Sequence, residues 1–422
     1  MISFSVIIYE SIKGALRVYL EYWWFFSFFV MWPMFHYFWT VYVQEKNIRN
    51  IKWHLLEIKV PSGVEIRPKT MEEFFTALSS GLDAAIDTLY DTYIDGVVES
   101  WFSFEIVSFE GDVHFYIRVM DGDLPFVKSH IYAQYPDAEI QEAEEYVTSI
   151  PDDIPNEDYD IWGTDMKLSK DNAYPIRTYK EFEDIASGEF IDPLSVIVEG
   201  VNALGPGEQF WIQILVRPTS EEWKKSAQNT VLKLAGRAVP EPKPGFWSEM
   251  LSSAVKGISG FFSTGETAPA EKKSNDLPSM MLHLSSGERA VIDAIDEKLK
   301  RPGFETDIRY IYAAKRSAFN KAKANAQFFA YFTQFGSDLM NSIRPDARTK
   351  TSAYYFFPDA RKKVKKRAIL RKYKDRTLDF KSYIMTSDEL ATLYHFPTKE
   401  VRGSLVPKVE AKKGKPPATL PI

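Results

Sequence analysis

The sequence predicts an α+β protein: an N-terminal single transmembrane helix followed by two ferredoxin-like βαββαβ units, the second carrying a long insert. Three observations carry that expectation. Residues 22–43, YWWFFSFFVMWPMFHYFWTVYV, run for 22 residues without Asp, Glu, Lys or Arg, enough helix at about 1.5 Å per residue to cross a hydrocarbon core of about 30 Å. Residues 53–147 switch between period-2 and period-3.6 apolar patterns in the order β-α-β-β-α-β, the split βαβ signature. The same order recurs, less tidily, between 159 and 385.

The expected division follows from these breaks: 1–21, an amphipathic helix; 22–43, the span; 44–150, the first α+β unit; 151–397, the second, with an insert at 238–286 and a basic segment at 361–376; and 398–422, an extended linker. In the first segment Ile7, Ile8, Ile12, Ala15, Leu16 and Tyr19 recur at helical spacing, with Glu10, Lys13 and Arg17 elsewhere on the wheel. It reads equally as an interfacial helix or as an extension of the span. A cleaved signal peptide is disfavoured, because the apolar run is long and aromatic and no small-x-small site follows. Within the expected span Tyr22, Trp23, Trp24, Trp32, Pro33, Trp39 and Val43 mark its length; thirteen of its 22 residues are aromatic. Lys46, Arg49 and Lys52 beyond it, against Lys13 and Arg17 before it, lean towards a cytoplasmic body at a cell membrane.

Behind the span, WHLLEIKV at 53–60 reads as a strand, and Thr70 with Glu73 as a capping box opening a helix over 71–82 that continues towards 99. Strands follow at 101–109 and 113–120, joined by a turn at Glu110-Gly111, then a helix over 124–135 and a strand over 138–147. That last strand carries four Glu, as a guarded sheet edge would. In the second unit, strands are expected at 159–168, 209–217 and 304–313, helices at 192–204, 222–235 and 316–335, and KSYIM at 381–385 closes the pattern.

Net charge is −6, but it is segregated: residues 137–160 hold ten acids and no base, while 361–376 hold ten bases against one acid. There is no cysteine, which removes disulfides, thiolate metal sites and a cysteine nucleophile. The six histidines are scattered without metal-ligand spacing, so neither a zinc site nor a cofactor is expected. No phosphate loop, nucleophile elbow or dinucleotide fingerprint is present. The expectation is a chain that is not an enzyme.

Two segments remain as candidate binding elements. In the insert, Trp247, Met250, Leu251, Ile258, Phe261 and Phe262 fall on one face of a helix that either lies on a bilayer or docks on protein. In the basic run, Arg361, Lys362, Lys363, Lys365, Lys366, Arg367, Arg371 and Lys372 form either a solvated helix face or a site for phosphate groups, of nucleic acid or anionic headgroups. An acidic partner surface, including the chain's own acidic segment, is a further reading.

TSDELATLYHFP at 386–397 reads as a short capped helix stopped by Pro397. It also resembles the ELATL-x-H-x-P segment of conjugation-like ATPases of the type IV secretion and coupling-protein class. EIKVP...MEEFFTAL at 57–78, GEQFWIQILVRP at 207–218 and DIRYIYAA at 307–314 resemble parts of a membrane-anchored domain of unknown function that precedes those ATPases, and VEAKKGKPPATL at 409–420 resembles the connector into the ATPase. The sequence stops where the phosphate loop would approach, so no catalytic residue carries over. The resemblance implies a non-catalytic, membrane-anchored scaffold for a separately encoded ATPase of a secretion-type or DNA-translocating system, with the lipid bilayer and self-association as further partners. The alternative is a nucleic-acid or anionic-lipid binding protein acting through 361–376.

Overall fold

The computed structural model describes residues 4–61, 67–81, 88–182, 190–237, 285–379 and 382–397. The expected insert helix, with Trp247, Met250, Leu251, Ile258, Phe261 and Phe262, and the linker 398–422 lie outside the described residues.

A long helix α1 (Phe4–Asn50) leads into β1 (Trp53–Lys59), α2 (Pro68–Gly81), β2 (Phe102–Phe109), β3 (Asp112–Met120), α3 (Leu124–Gln134) and β4 (Glu139–Glu142). Then come β5 (Tyr159–Leu168), α4 (Ser195–Val201), β6 (Glu208–Pro218), α5 (Glu222–Leu234), α6 (Ser286–Leu299), β7 (Gly303–Lys315) and α7 (Lys321–Thr333). The chain closes with β8 (Ile343–Pro345), α8 (Pro358–Asp375), β9 (Tyr383–Thr386) and α9 (Ser387–Leu393).

Two corrections to the expected fold follow. The first concerns the span: among the described residues no helix is long and apolar enough to cross a membrane. The stretch is free of charge but aromatic rather than aliphatic. Trp, Tyr, His36 and Pro33 dilute its mean hydropathy, and Trp and Tyr favour interfaces over a hydrocarbon core. The helix breaks at Tyr22 (φ −114°, ψ 20°), and its later turns dock on protein. Trp39 Nε1 donates to the Tyr93 carbonyl at 2.8 Å, the His36 and Tyr93 rings lie 4.6 Å apart, and Asn47 donates to the carbonyls of Asp95 and Gly96 at 3.0 Å. Val43 is buried there, whereas Tyr22, Trp23, Trp24 and Trp32 are exposed.

The second correction concerns the two units. They form one nine-stranded antiparallel sheet, in the order β4-β1-β3-β2-β6-β7-β5-β8, with β9 paired to β7. The halves meet where β2 pairs with β6 from Phe102↔Val216 to Phe109↔Gln209. Numbering each half's strands separately, the order reads fourth-first-third-second from either end. The closing position of the second half belongs to β8, which pairs with β5 through Leu168↔Ile343, while β9 extends the β5 side of β7. A three-residue strand ending in proline carries almost no period-2 signal, which is why the more apolar KSYIM at 381–385 took its place in the expectation. β2 and β3 are joined by a turn in which both Glu110 (φ 55°) and Gly111 (φ 107°) are left-handed, the geometry that matches strand twist.

Alternation assigns the two faces. Leu56, Phe104, Ile106, Ile212, Ile214, Ile308 and Tyr310 point to one core with residues of α2, α3, α4, α7 and α9. Leu55, Val107, Tyr116, Ile161, Trp211 and Ile311 point to the other, covered by Ile369, Leu370 and Tyr373 of α8 and by Tyr146, Val147 and Ile150. Burying a large apolar side chain contributes about 1.5–3 kcal/mol, so α8 is held by its few apolar residues although most of its surface is cationic.

Candidate functional site

The strands facing α8 carry polar residues among apolar ones. Pairing aligns them into a row. Glu57 opposes Tyr116, Tyr116 opposes Glu105, Glu105 opposes Gln213, Gln213 opposes Arg309 and Arg309 opposes Asp165. A buried charge is costly unless paired and hydrogen-bonded, and this row is satisfied residue by residue. Arg376 Nε donates to Glu105 at 2.6 Å, with Ser103 Oγ at 2.5 Å, Tyr146 OH at 2.7 Å and Gln213 Nε2 at 3.2 Å on the same carboxylate. Arg309 donates to Asp165 at 3.1 Å and to Gln213 at 3.1 Å, and Lys372 reaches Asp165 at 3.1 Å. Burial opposes ionisation of Glu105, yet the Arg376 guanidinium and the surrounding hydroxyls hold it below the ordinary carboxylate range. Burial also raises Tyr146 and Tyr373, whose hydroxyls meet at 2.9 Å.

The row doubles as the C-terminal cap of α8. The last carbonyls of a helix lack intrahelical donors and carry partial negative charge. Gln213 donates to the Tyr373 carbonyl at 3.0 Å, and Arg309 to the Lys372 carbonyl at 3.3 Å and to that of Thr377. Arg376 ends the helix in the left-handed conformation (φ 51°), its N–H on the Lys372 and Tyr373 carbonyls. Glycine usually takes that position; here the side chain is needed for Glu105.

Burial, with the Asp379 carboxylate close by, pushes the Asp307 carboxyl up to about 6, against the Asp379 N–H and the Arg309 charge. It accepts from Asp379 N and, at 3.2 Å, from Ser382 Oγ, tying down the chain beyond α8.

The predicted anion-binding residues sit on α8 and spend much of their charge on the chain's own acids and carbonyls. Lys366 reaches Asp160 at 2.5 Å, Lys372 reaches Asp379 at 2.7 Å, Lys374 reaches Asp152 at 2.6 Å, and Arg367 donates to the carbonyls of Asp153 and Ile154 at 3.1 Å. Lys365 holds the carbonyls of Ala347 and Lys350 at 3.3 and 3.1 Å, Arg361 that of Tyr355 at 3.0 Å, and Lys362 pairs with Asp359 at 3.2 Å. Lys363 and Arg371 are exposed. The acidic and basic runs are thus complementary parts of one interface. A cleft of about 490 Å³ beside α8 mixes Arg367, Arg371 and Lys374 with Asp152, Asp153 and Asp375, which gives it no single sign. A larger open cleft of about 750 Å³ includes Lys170, Arg177 and Arg344, but their donors turn to the Asp338, Leu339 and Glu181 carbonyls and to Ser342 Oγ. Among the described residues no group of acids and histidines could hold a metal ion.

The acidic edge strand is clamped rather than open. His54 is buried between Glu142 on its Nδ1 and Asp121 on its Nε2, each at 2.6 Å, and it holds both carboxyls below their ordinary range.

The 386–397 segment is a keystone. Glu389 pairs with buried Lys298 at 2.9 Å and accepts from the N–H groups of Thr386 at 2.9 Å and Ile176 at 2.8 Å. Thr392 Oγ1 accepts from Tyr179 N at 2.8 Å, and His395 bridges the Ala391 carbonyl at 2.8 Å and Asp192 at 3.0 Å. Every polar member of ELATLYH therefore has a structural partner.

The sequence reading missed the polar row. Its signal is present in FSFEIVSF, QFWIQILV and DIRYIY: one polar residue near the centre of an apolar strand. Only register shows that these residues are neighbours.

This architecture, a continuous antiparallel sheet with a charged layer locked beneath one helix, defines an α+β domain built on a single sheet. The chain belongs to the family described as "Domain of unknown function (DUF8128)", whose model matches residues 53–406. No curated protein matches the sequence.

Proposed function

We propose that this chain is a non-catalytic accessory scaffold that docks a separately encoded ATPase of the type IV secretion or conjugation class, working at the cytoplasmic face of the cell membrane. The observation that carries the reading is the convergence of the stretches bearing the resemblance. Residues 57–78, 207–218, 307–314 and 386–397 are far apart in sequence, yet they form β1 with α2, β6, β7 and α9 around one core. Ile58 and Phe74, Ile212, Ile308 and Leu390, from these stretches in turn, are buried in one core. The resemblance therefore follows a single folded body. The locked charge layer suits a rigid platform, because side chains committed to ion pairs are not free for proton transfer.

The test is affinity capture of the full chain together with the ATPase encoded beside it. Stable co-elution supports the reading, and reproducible separation at low salt overturns it. The alternative, nucleic acid or anionic headgroups held along the whole of 361–376, is disfavoured because Lys365, Lys366, Arg367, Lys372, Lys374 and Arg376 are engaged within the chain.

A further inference from the structure

The sharpest unexplained surface lies before α8. Tyr354, Tyr355, Phe356 and Phe357 are 78, 76, 86 and 83% exposed, and Val364 on the first turns of α8 is 67% exposed. Four consecutive aromatics in water are unfavourable, and a contiguous exposed apolar patch marks an interaction site. Phe356 (φ 38°) and Phe357 (φ 52°) are both left-handed; such strain in bulky residues concentrates at functional positions.

The base of this loop is fixed while its tip is bare. Thr351 N donates to the Gly163 carbonyl at 3.1 Å, and Thr351 Oγ1 accepts from Gly163 N at 3.0 Å. Lys365 ties down the carbonyls of Ala347, Lys350 and Ser352 at 3.3, 3.1 and 3.5 Å, and Ala353 is buried. The aromatics are thus presented by a preorganised support. Arg361, Lys362 and Lys363 follow within one helical turn, with Asp359 the acid among them.

We infer that residues 354–364 dock on the surface of an anionic lipid bilayer, the aromatic tip entering the headgroup boundary, Lys363 facing lipid phosphates and Lys362 exchanging its exposed pair with Asp359 for one of them. Interfacial elements combine these two chemistries: Tyr and Phe at headgroup depth, and Lys or Arg against the negative leaflet. A single-stranded nucleic acid fits less well, because stacking platforms hold their rings in a groove whose cations track the backbone. Here the rings project, and the cations cluster at one end. The inference goes beyond the scaffold reading and stands without it.

The sequence contains no cysteine, so Phe356→Cys gives a unique site for an environment-sensitive fluorophore in the full chain. Its emission is expected to shift to the blue with phosphatidylcholine/phosphatidylglycerol vesicles and to stay unchanged with phosphatidylcholine alone. Adding Lys362→Gln and Lys363→Gln is expected to weaken partitioning about tenfold to thirtyfold, from roughly 1 kcal/mol per cation at an anionic surface. No shift on anionic vesicles, or a shift indifferent to the two Lys→Gln changes, overturns the inference. An equal shift with a single-stranded oligonucleotide overturns it in favour of nucleic acid.

Discussion

Replacing Arg376 with leucine removes the guanidinium paired with Glu105 at 2.6 Å in a site where both side chains are almost wholly buried. Stranding one member of such a pair costs about 3–5 kcal/mol, against a total stability of about 5–15 kcal/mol for a typical domain. The backbone adds nothing, because leucine is no worse than arginine in the left-handed position that Arg376 occupies. Urea unfolding followed by circular dichroism at neutral pH should show the full loss. The deficit should shrink as pH falls towards the ordinary Glu value of 4.5 and continue to shrink below it, where the wild-type pair is itself lost. An unpaired buried carboxyl takes up a proton in the folded state before it does so in the unfolded chain, and low pH then favours folding. Glu105→Gln in the same chain keeps one oxygen to accept from Ser103 or Tyr146 while removing the stranded charge, so the double variant should regain at least about 2 kcal/mol of the loss. A loss under about 1 kcal/mol for Arg376→Leu, with no recovery in the double variant, would refute the view that this pair anchors α8.

Asp307, with its carboxyl pushed up to about 6 from the ordinary 3.8, stabilises the fold most below the lower value, and this contribution is lost as pH rises through about 6. Asp307→Asn should flatten that dependence and raise neutral-pH stability by up to about 3 kcal/mol, at 1.36 kcal/mol per unit; an unchanged slope in urea midpoints between pH 4 and 7 would contradict this. Gly96 is left-handed (φ +61°), and a Cβ there would lie 2.5 Å from the Val43 carbonyl oxygen. Gly96→Ala should therefore release residues 88–98 from α1, seen as faster amide exchange there with β2 and β6 unaffected. Lys298→Met strands Glu389 in the core and should cost about 3 kcal/mol; a thermal melt unchanged from wild type would show that Glu389 is satisfied by its N–H donors alone.

Much of the sheet was legible because its long strands are apolar and punctuated by turn residues. FSFEIVSF, QFWIQILVR and DIRYIYAA are rich in β-branched and aromatic residues, and the structure buries them on both faces. The joining of the halves was not, since it depends on which edge strand meets which, and both β2 and β6 read as complete in isolation. The charged runs misled for a related reason. Counting ten bases over 361–376 says nothing of where acids lie in space, and Asp152, Asp160 and Asp165 come from a segment some two hundred residues away. The aromatic stretch of α1 showed the limit of counting charges: a span needs a high mean hydropathy as well as a lack of ionised groups, and Trp, Tyr, His36 and Pro33 lower that mean.

The β2–β6 pairing also shapes how the protein is made. It joins Glu105 to Gln213, so an N-terminal half leaving the ribosome presents a bare edge until about a hundred further residues have been synthesised. Contacts of such long range close late, and an unpaired apolar edge meanwhile invites pairing with other nascent chains. Biogenesis is then governed by the interval between the appearance of the two central strands, and slowing translation between them should lower the soluble yield without changing the stability of the finished molecule.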